Sequence, residues 1–118
     1  MGEIGEDAVV KYIKKKRGWK ILARNFSKPW GELDIVARDK NIIIFIEVKA
    51  LSISSARYFK PEEHFDARKR EKTIRIAHSY LLQNGYPEET VYRIDLAALE
   101  VDMERRIARM RYYKNAIA

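Results

Sequence analysis

Ile42 to Ile46 (IIIFI) is the stretch that most limits what this chain can become. β-Branched and aromatic residues in an unbroken run form a strand buried on both faces. Such a strand needs one layer of structure above it and another below. It stops at Glu47-Val48-Lys49. Charges at the end of a buried strand cost free energy unless they have a partner or a task. Upstream, Gly31 to Asp39 (GELDIVARD) reads as a second strand, and Lys40-Asn41 as the tight turn between the two.

With that turn at the centre, residues pair when their numbers sum to 81. Asp34 then falls opposite Glu47, and Glu32 opposite Lys49. Alternate side chains share a face, so all four are expected on one side of the sheet. Two facing carboxylates repel. Either one keeps its proton or a cation lies between them. Mg²⁺ takes oxygen ligands, commonly one or two carboxylates with water and phosphate oxygens. Asp34 and Glu47 would supply these, with the Val48 carbonyl as a third protein ligand and Mn²⁺ as a substitute metal. Lys49 reaches the same space, where it would hold a water or a developing negative charge. A metal beside a fixed lysine suits hydrolysis of a phosphodiester. The bland alternative is a Glu32–Lys49 ion pair, with Asp34 matched to an arginine elsewhere. The residues by themselves leave both open.

Charge points to the partner. The chain has 24 Lys and Arg against 17 Asp and Glu, a net +7. A basic surplus on a small domain favours a polyanion, most often nucleic acid. A heavily charged, thermophile-like surface is the competing explanation. At 118 residues the whole chain, 1–118, is expected to be a single domain with a core of its own. It has no cysteine, which excludes disulfides and thiolate metal sites and suits a reducing cytoplasm. No apolar run approaches membrane-spanning length, so no membrane association is expected, and MGEIGEDAVV lacks a signal-peptide layout.

The remaining elements follow from periodicity. Glu3 to Lys16 is predicted helical, with Ile4, Ala8, Val9, Tyr12 and Ile13 inward and Gly18 as the stop. Glu6 lies at the edge of that stripe. It is either a first-turn acid that suits the helix dipole or a carboxylate aimed at the site. Trp19 to Asn25 is a short strand and Phe26 to Gly31 a loop. Leu51 to Phe59 is a Ser-rich connector, in which Arg57, Tyr58 and Phe59 mix a cation with aromatics beside the site. Pro61 to Asn84 is predicted as one long helix, with Phe65, Thr73, Ile76, Ala77, Tyr80 and Leu81 inward. Lys69 falls on that stripe, and Arg68, Arg70, Lys72 and Arg75 make the helix basic. Neither histidine receives a role, because two do not make a metal cluster. Val91 to Val101 and Ile107 to Tyr113 are the last strands. The latter is an edge strand whose Arg109 and Arg111 share a wet face. The order αβββαββ implies an α/β three-layer sandwich, a central mixed sheet of about five strands between helices.

Asp34 followed by Glu47-Val48-Lys49 resembles the PD-(D/E)xK nuclease superfamily. The chain is most similar to one branch of it, the YraN family of small endonuclease-like proteins. Gly2, Gly5 and Glu6 match its opening G-x-x-G-E. Arg24-Asn25-Phe26, Gly31 to Ile35 and Phe45 to Ala50 match its R-N-(aromatic), G-E-I-D-(apolar) and F-V-E-V-K-A segments. Lys69, Arg93-Ile94-Asp95 and Asn115-Ala116 follow in order at compatible spacing. Leu33 replaces the superfamily's Pro, as the YraN pattern also does, and Leu51 stands where the family often has Arg.

The resemblance implies a restriction-endonuclease-like fold, with Asp34 and Glu47 as Mg²⁺ ligands and Lys49 as the catalytic lysine. Glu6 would be an accessory carboxylate, as in archaeal Holliday-junction resolvases, and Lys69 would support the phosphate or merely snorkel past the core. The leading expectation is a Mg²⁺-dependent nuclease acting on DNA, with branched or single-stranded forms in view. Arg57, Lys69, Lys72, Arg75 and the Arg109/Arg111 face would hold phosphates. A homodimer would suit junction cleavage, although no stretch marks an interface. The alternatives are a nucleic-acid-binding module of the same fold without cleavage, and a scaffold domain whose charge only keeps it soluble.

Overall fold

The computed structural model describes residues 2–117, with side chains from Gly5 to Ile117. Ile4, expected on the inward stripe of the first helix, lies outside the described side chains. The chain forms α1 (Gly2–Tyr12), a π-helical turn (Ile13–Arg17), β1 (Lys20–Lys28), β2 (Gly31–Asp39) and β3 (Ile42–Ser52). The crossover holds α2 (Ile53–Ala56), α3 (Pro61–His64) and α4 (Ala67–Gln83), and β4 (Tyr92–Asp102) and β5 (Ile107–Tyr113) follow. The sheet runs β1-β2-β3-β4-β5, with β3 and β4 parallel and the other neighbours antiparallel. β5 is an edge strand, as its alternation indicates.

Helices cover both faces of this five-stranded mixed sheet. On one side Val9 and Ile13 pack with Trp19, Ile35, Ile44, Ile46 and Ala97. On the other, Ile76, Ala77, Tyr80 and Leu81 of α4 pack with Leu33, Val36, Phe45 and Ile94. Ile44, Phe45 and Ile46 of β3 thus serve the two layers alternately, which is why the IIIFI run has no polar position. No helix among the described residues is long and apolar enough to cross a membrane.

Several boundaries differ from those expected. The first α-helix gives way to the π-turn at Ile13, and Gly18 closes it in the left-handed region (φ 67°), its N–H on the Ile13 carbonyl at 2.9 Å. β1 continues through Phe26 to Lys28, so only Pro29-Trp30 is turn. β3 continues to Ser52, where parallel pairing with β4 holds it, and the Ser-rich connector contains α2, capped by reciprocal Ser52–Ser55 bonds. The single long helix is broken at Phe65-Asp66. Asp66 is extended and its carboxylate accepts the Lys69 amide at 2.9 Å, starting α4 afresh. Arg70 is tied down by the Ile117 carbonyl (3.2 Å), and Arg111 lies near Glu100 and the Ala56 carbonyl. Both arginines remain exposed.

Candidate active site

The β2–β3 ladder has the register expected from the turn, from Asp39↔Ile42 to Ile35↔Ile46. It ends there. Beyond it Asp34 and Glu47 do not pair as opposite neighbours. The Asp34 carboxylate instead accepts the Val48 N–H at 2.8 Å. Strict alternation also slips at this point. Leu33 and Val36, three apart rather than two, both pack on the α4 side, and so do Phe26 and Ala23 of β1. Asn25, between them, has φ 54°, a conformation asparagine tolerates better than most residues. Glu32 forms no ion pair with Lys49 among the described residues.

Glu47 is held from the crossover. Lys69 Nζ is 3.2 Å from Glu47 Oε1, and His64 Nε2 meets Glu47 Oε2 in a hydrogen bond. The helix break makes this convergence. In one continuous helix, residues 64 and 69 would differ by about 140° in direction. With α3 and α4 separate, both side chains reach the same carboxylate. Sequence reasoning missed His64. The signal available was the Asp66 cap, an Asp three residues ahead of the lysine whose amide it accepts.

From the opposite layer, α1 brings Glu6. Gly5 lets the helix approach closely, since a Cβ there would stand 3.2 Å from Leu99 Cδ1 and 3.6 Å from Val48 Cγ1. Arg24 anchors the same helix end, 2.8 Å from Asp7 and 3.8 Å from Glu6 Oε1. The Glu6 side chain is only 12% exposed, and its Oε1 is buried without a hydrogen-bond partner.

All three carboxyls are pushed up in pKa, chiefly by burial. Asp34 is raised to about 6, the Val48 N–H working against burial while Glu47 and Glu32 add to it. Glu47 is raised by burial, with Lys69 and Lys49 pulling the other way. Glu6 is raised by burial and by Asp34, opposed by Arg24. His64 is pushed down by burial and then by Lys69 and Lys49, and its Nε2 is the atom that meets Glu47.

Asp34, Glu47, Lys49, Lys69 and Glu6 therefore share one neighbourhood, with Lys49 the most open of them. Val48 is engaged through its N–H. Lys72 and Arg75 lie on the exposed flank of α4. Arg57 is elsewhere, in a cleft of about 940 Å³ beyond the end of β3, with Tyr58, Met103 and Arg105.

The family comparison agrees with the motifs. Residues 5–99 match the model of the uncharacterised protein family UPF0102, the YraN nuclease-like family. The chain belongs to this family. A UPF0102 protein of Pelotomaculum thermopropionicum is 34% identical over 98% of this chain and 93% of its own length. One from Moorella thermoacetica is 37% identical over 98% and 92%. One from Desulfitobacterium hafniense is 41% identical over 84% and 79%.

The residues on which the resemblance rests fall into two groups in the fold. Glu6, Asp34, Glu47, Lys49 and Lys69 gather as described. Arg93 and Asp95 form a buried network instead, in which Asp95, 0% exposed, accepts from Arg93 Nε, from the Tyr112 hydroxyl at 2.6 Å and from the Asn115 N–H at 2.8 Å. The network fastens the segment after β5 to β4.

Proposed function

We propose that this UPF0102 chain is a Mg²⁺-dependent nuclease that hydrolyses phosphodiester bonds in DNA. The observation that carries the reading is the placement of Asp34 and Glu47. Both are drawn from water at the mouth of a splayed strand pair, both are raised in pKa, and both have lysines beside them. Groups so perturbed, at a strand opening rather than in the core, are costly unless used.

The donor set fits a hard cation. Asp34, Glu47 and Glu6 offer only oxygens, and the buried Glu6 Oε1 has Arg24 at 3.8 Å but no hydrogen bond, which a cation or its water would provide. Among the described residues no three Asp, Glu or His side chains stand ready to hold a metal by themselves. Mg²⁺ commonly takes one or two carboxylates and completes its shell with water and phosphate oxygens. Asp34 and Glu47 would hold it, with Glu6 beside them. When bound, the ion polarises the phosphate and lowers the pKa of its water. Lys49, open to solvent beside Glu47, orients the attacking water and faces the charge that develops on the phosphate. Lys69 leaves Glu47 for a phosphate oxygen as the site fills. A twofold dimer would give a junction two such sites.

The competing reading is a binding module without cleavage, and one observation favours it: both Glu47 oxygens are already occupied by Lys69 and His64. A cleavage screen of linear, flapped, single-stranded and four-way DNA with Mg²⁺ and Mn²⁺ separates the two. Metal-dependent product that disappears in Asp34→Ala and Lys49→Ala, with binding kept, supports the nuclease. Nicking that survives both substitutions, or no product on any substrate, defeats it.

A further inference from the structure

Trp30 lies at the tip of the β1–β2 turn and is 39% exposed, whereas the other tryptophan, Trp19, is buried. Much of the indole is covered at the turn, and the remainder is open to solvent. One cation lies on the ring and a second stands on the neighbouring aromatic of β1. The Arg75 guanidinium lies over the ring, 4.9 Å from its centroid, and Lys28, two residues before Trp30, stands 5.4 Å over Phe26. Arg75 is the third of a row, Lys69, Lys72 and Arg75, that winds about 120° around α4 from the half-buried Lys69 to the exposed Arg75. The row starts at Glu47 and reaches the hairpin tip, where Ile76 meets Gly31 at 3.5 Å from an ideal Cβ. Along the helix it covers about 9 Å.

The geometry points to a stacking platform: we infer that Trp30 and Arg75 hold an unpaired base of the nucleic acid whose backbone follows Lys72 and Lys69 to Asp34 and Glu47. This rests on the nuclease reading and narrows its substrate to nucleic acid with an unpaired stretch beside the scissile phosphate. Every base has a π face, so indole stacking is tolerant of sequence, and arginine adds a cation–π contact. In an intact duplex those faces are already stacked. The cationic row matches the charge of the backbone and carries no sequence information.

The test is binding in chelator, where cleavage plays no part. A single-stranded oligonucleotide quenches the tryptophan emission of the wild-type protein. The same strand with a central block of abasic sites quenches much less. Trp30→Phe keeps most of the affinity and loses the quenching, because Trp19 is buried. Trp30→Ala lowers single-strand affinity about tenfold and leaves blunt-duplex affinity unchanged. Equal affinity of wild type and Trp30→Ala for the single strand overturns the platform, as does equal quenching by the abasic strand. Cleavage tested separately keeps the two readings distinct. Stacking without metal-dependent product leaves the platform and removes the nuclease. Product without stacking does the reverse.

Discussion

Asp34 Oδ2 accepts the Val48 amide proton at 2.8 Å, just beyond the last β2–β3 ladder pair. A carboxylate thus does what a backbone carbonyl does elsewhere in the sheet. It brings negative charge into a partly buried gap, and its pKa stands at about 6 against an ordinary 3.8.

The sign of the consequence is fixed by linkage. The folded protein holds the Asp34 proton more tightly than the unfolded chain does. Its contribution to stability is complete below about pH 3.8 and is lost as the pH rises through about 6. The shift corresponds to about 3 kcal/mol, reduced to roughly 1–2 by partial solvent contact. Asp34→Asn keeps the acceptor and removes the charge. In chelator at pH 7 the variant should melt roughly 4–8 °C above wild type, and at pH 3.5 the two should coincide. Mg²⁺ should raise the wild-type midpoint and not that of the variant. A variant less stable than wild type at pH 7 would show that the buried charge is already compensated.

A cation at Glu47 would compete with the two protein donors, one on each oxygen. His64 is the more dispensable of the two, since Lys69 brings a full charge. His64→Ala should therefore lower the Mg²⁺ concentration for half-maximal cleavage by roughly three- to tenfold, the worth of part of one hydrogen bond to a charged group. Metal titration at pH 8, above the carboxylate range, checks this. A higher Mg²⁺ requirement would mean that His64 orients Glu47 for the metal.

Asp95 carries part of the same resemblance but lies outside the candidate site. It is wholly buried among Arg93, Tyr112 and the Asn115 amide. Tyr112 in turn is held far above the usual phenol range, by burial first and then by Asp95. Removing one member of a buried charged network leaves the others unpaired, at about 3–5 kcal/mol. Asp95→Ala should lose about that much in urea unfolding, and Tyr112→Phe about 1–2 kcal/mol. Neither should change the Mg²⁺ dependence of whatever protein remains folded.

The β2–β3 register was legible because the Lys40-Asn41 turn and the IIIFI run both specify it. A one-residue slip would have exposed the whole apolar face. The three-layer order was legible for the same reason. The end of the ladder was not. Strict alternation places Asp34 opposite Glu47, whereas its carboxylate lies beside Val48, and the left-handed Asn25 of β1 is a backbone feature that periodicity does not register. The helix break was hidden because Phe65 and Thr73 keep helical spacing across it, and the Asp66 cap is a local hydrogen bond that periodicity does not register. His64 was lost with it. Charge counting also does not show which cations are already paired: Arg24, Arg70, Arg93 and Arg111 all have protein partners, and Arg93 alone of these is largely covered.

Lys72 differs from Lys69 in this respect, and salt dependence should separate them. Lys69 is paired with Glu47, so moving it onto a phosphate exchanges one ion pair for another. Lys72 is exposed and has no ion pair among the described residues. If it meets a phosphate, it displaces a condensed counterion, and the slope of log affinity against log salt carries about one unit from it. Lys72→Ala should shrink that slope by about 1 in chelator and weaken binding about equally across DNA sequences. Lys69→Ala should change the slope less and leave Glu47 higher in pKa, having lost its main opposing charge. Fluorescence anisotropy between 50 and 200 mM salt, about the range over which such contacts dominate, measures both. An unchanged slope in Lys72→Ala would place the DNA path on another face of α4.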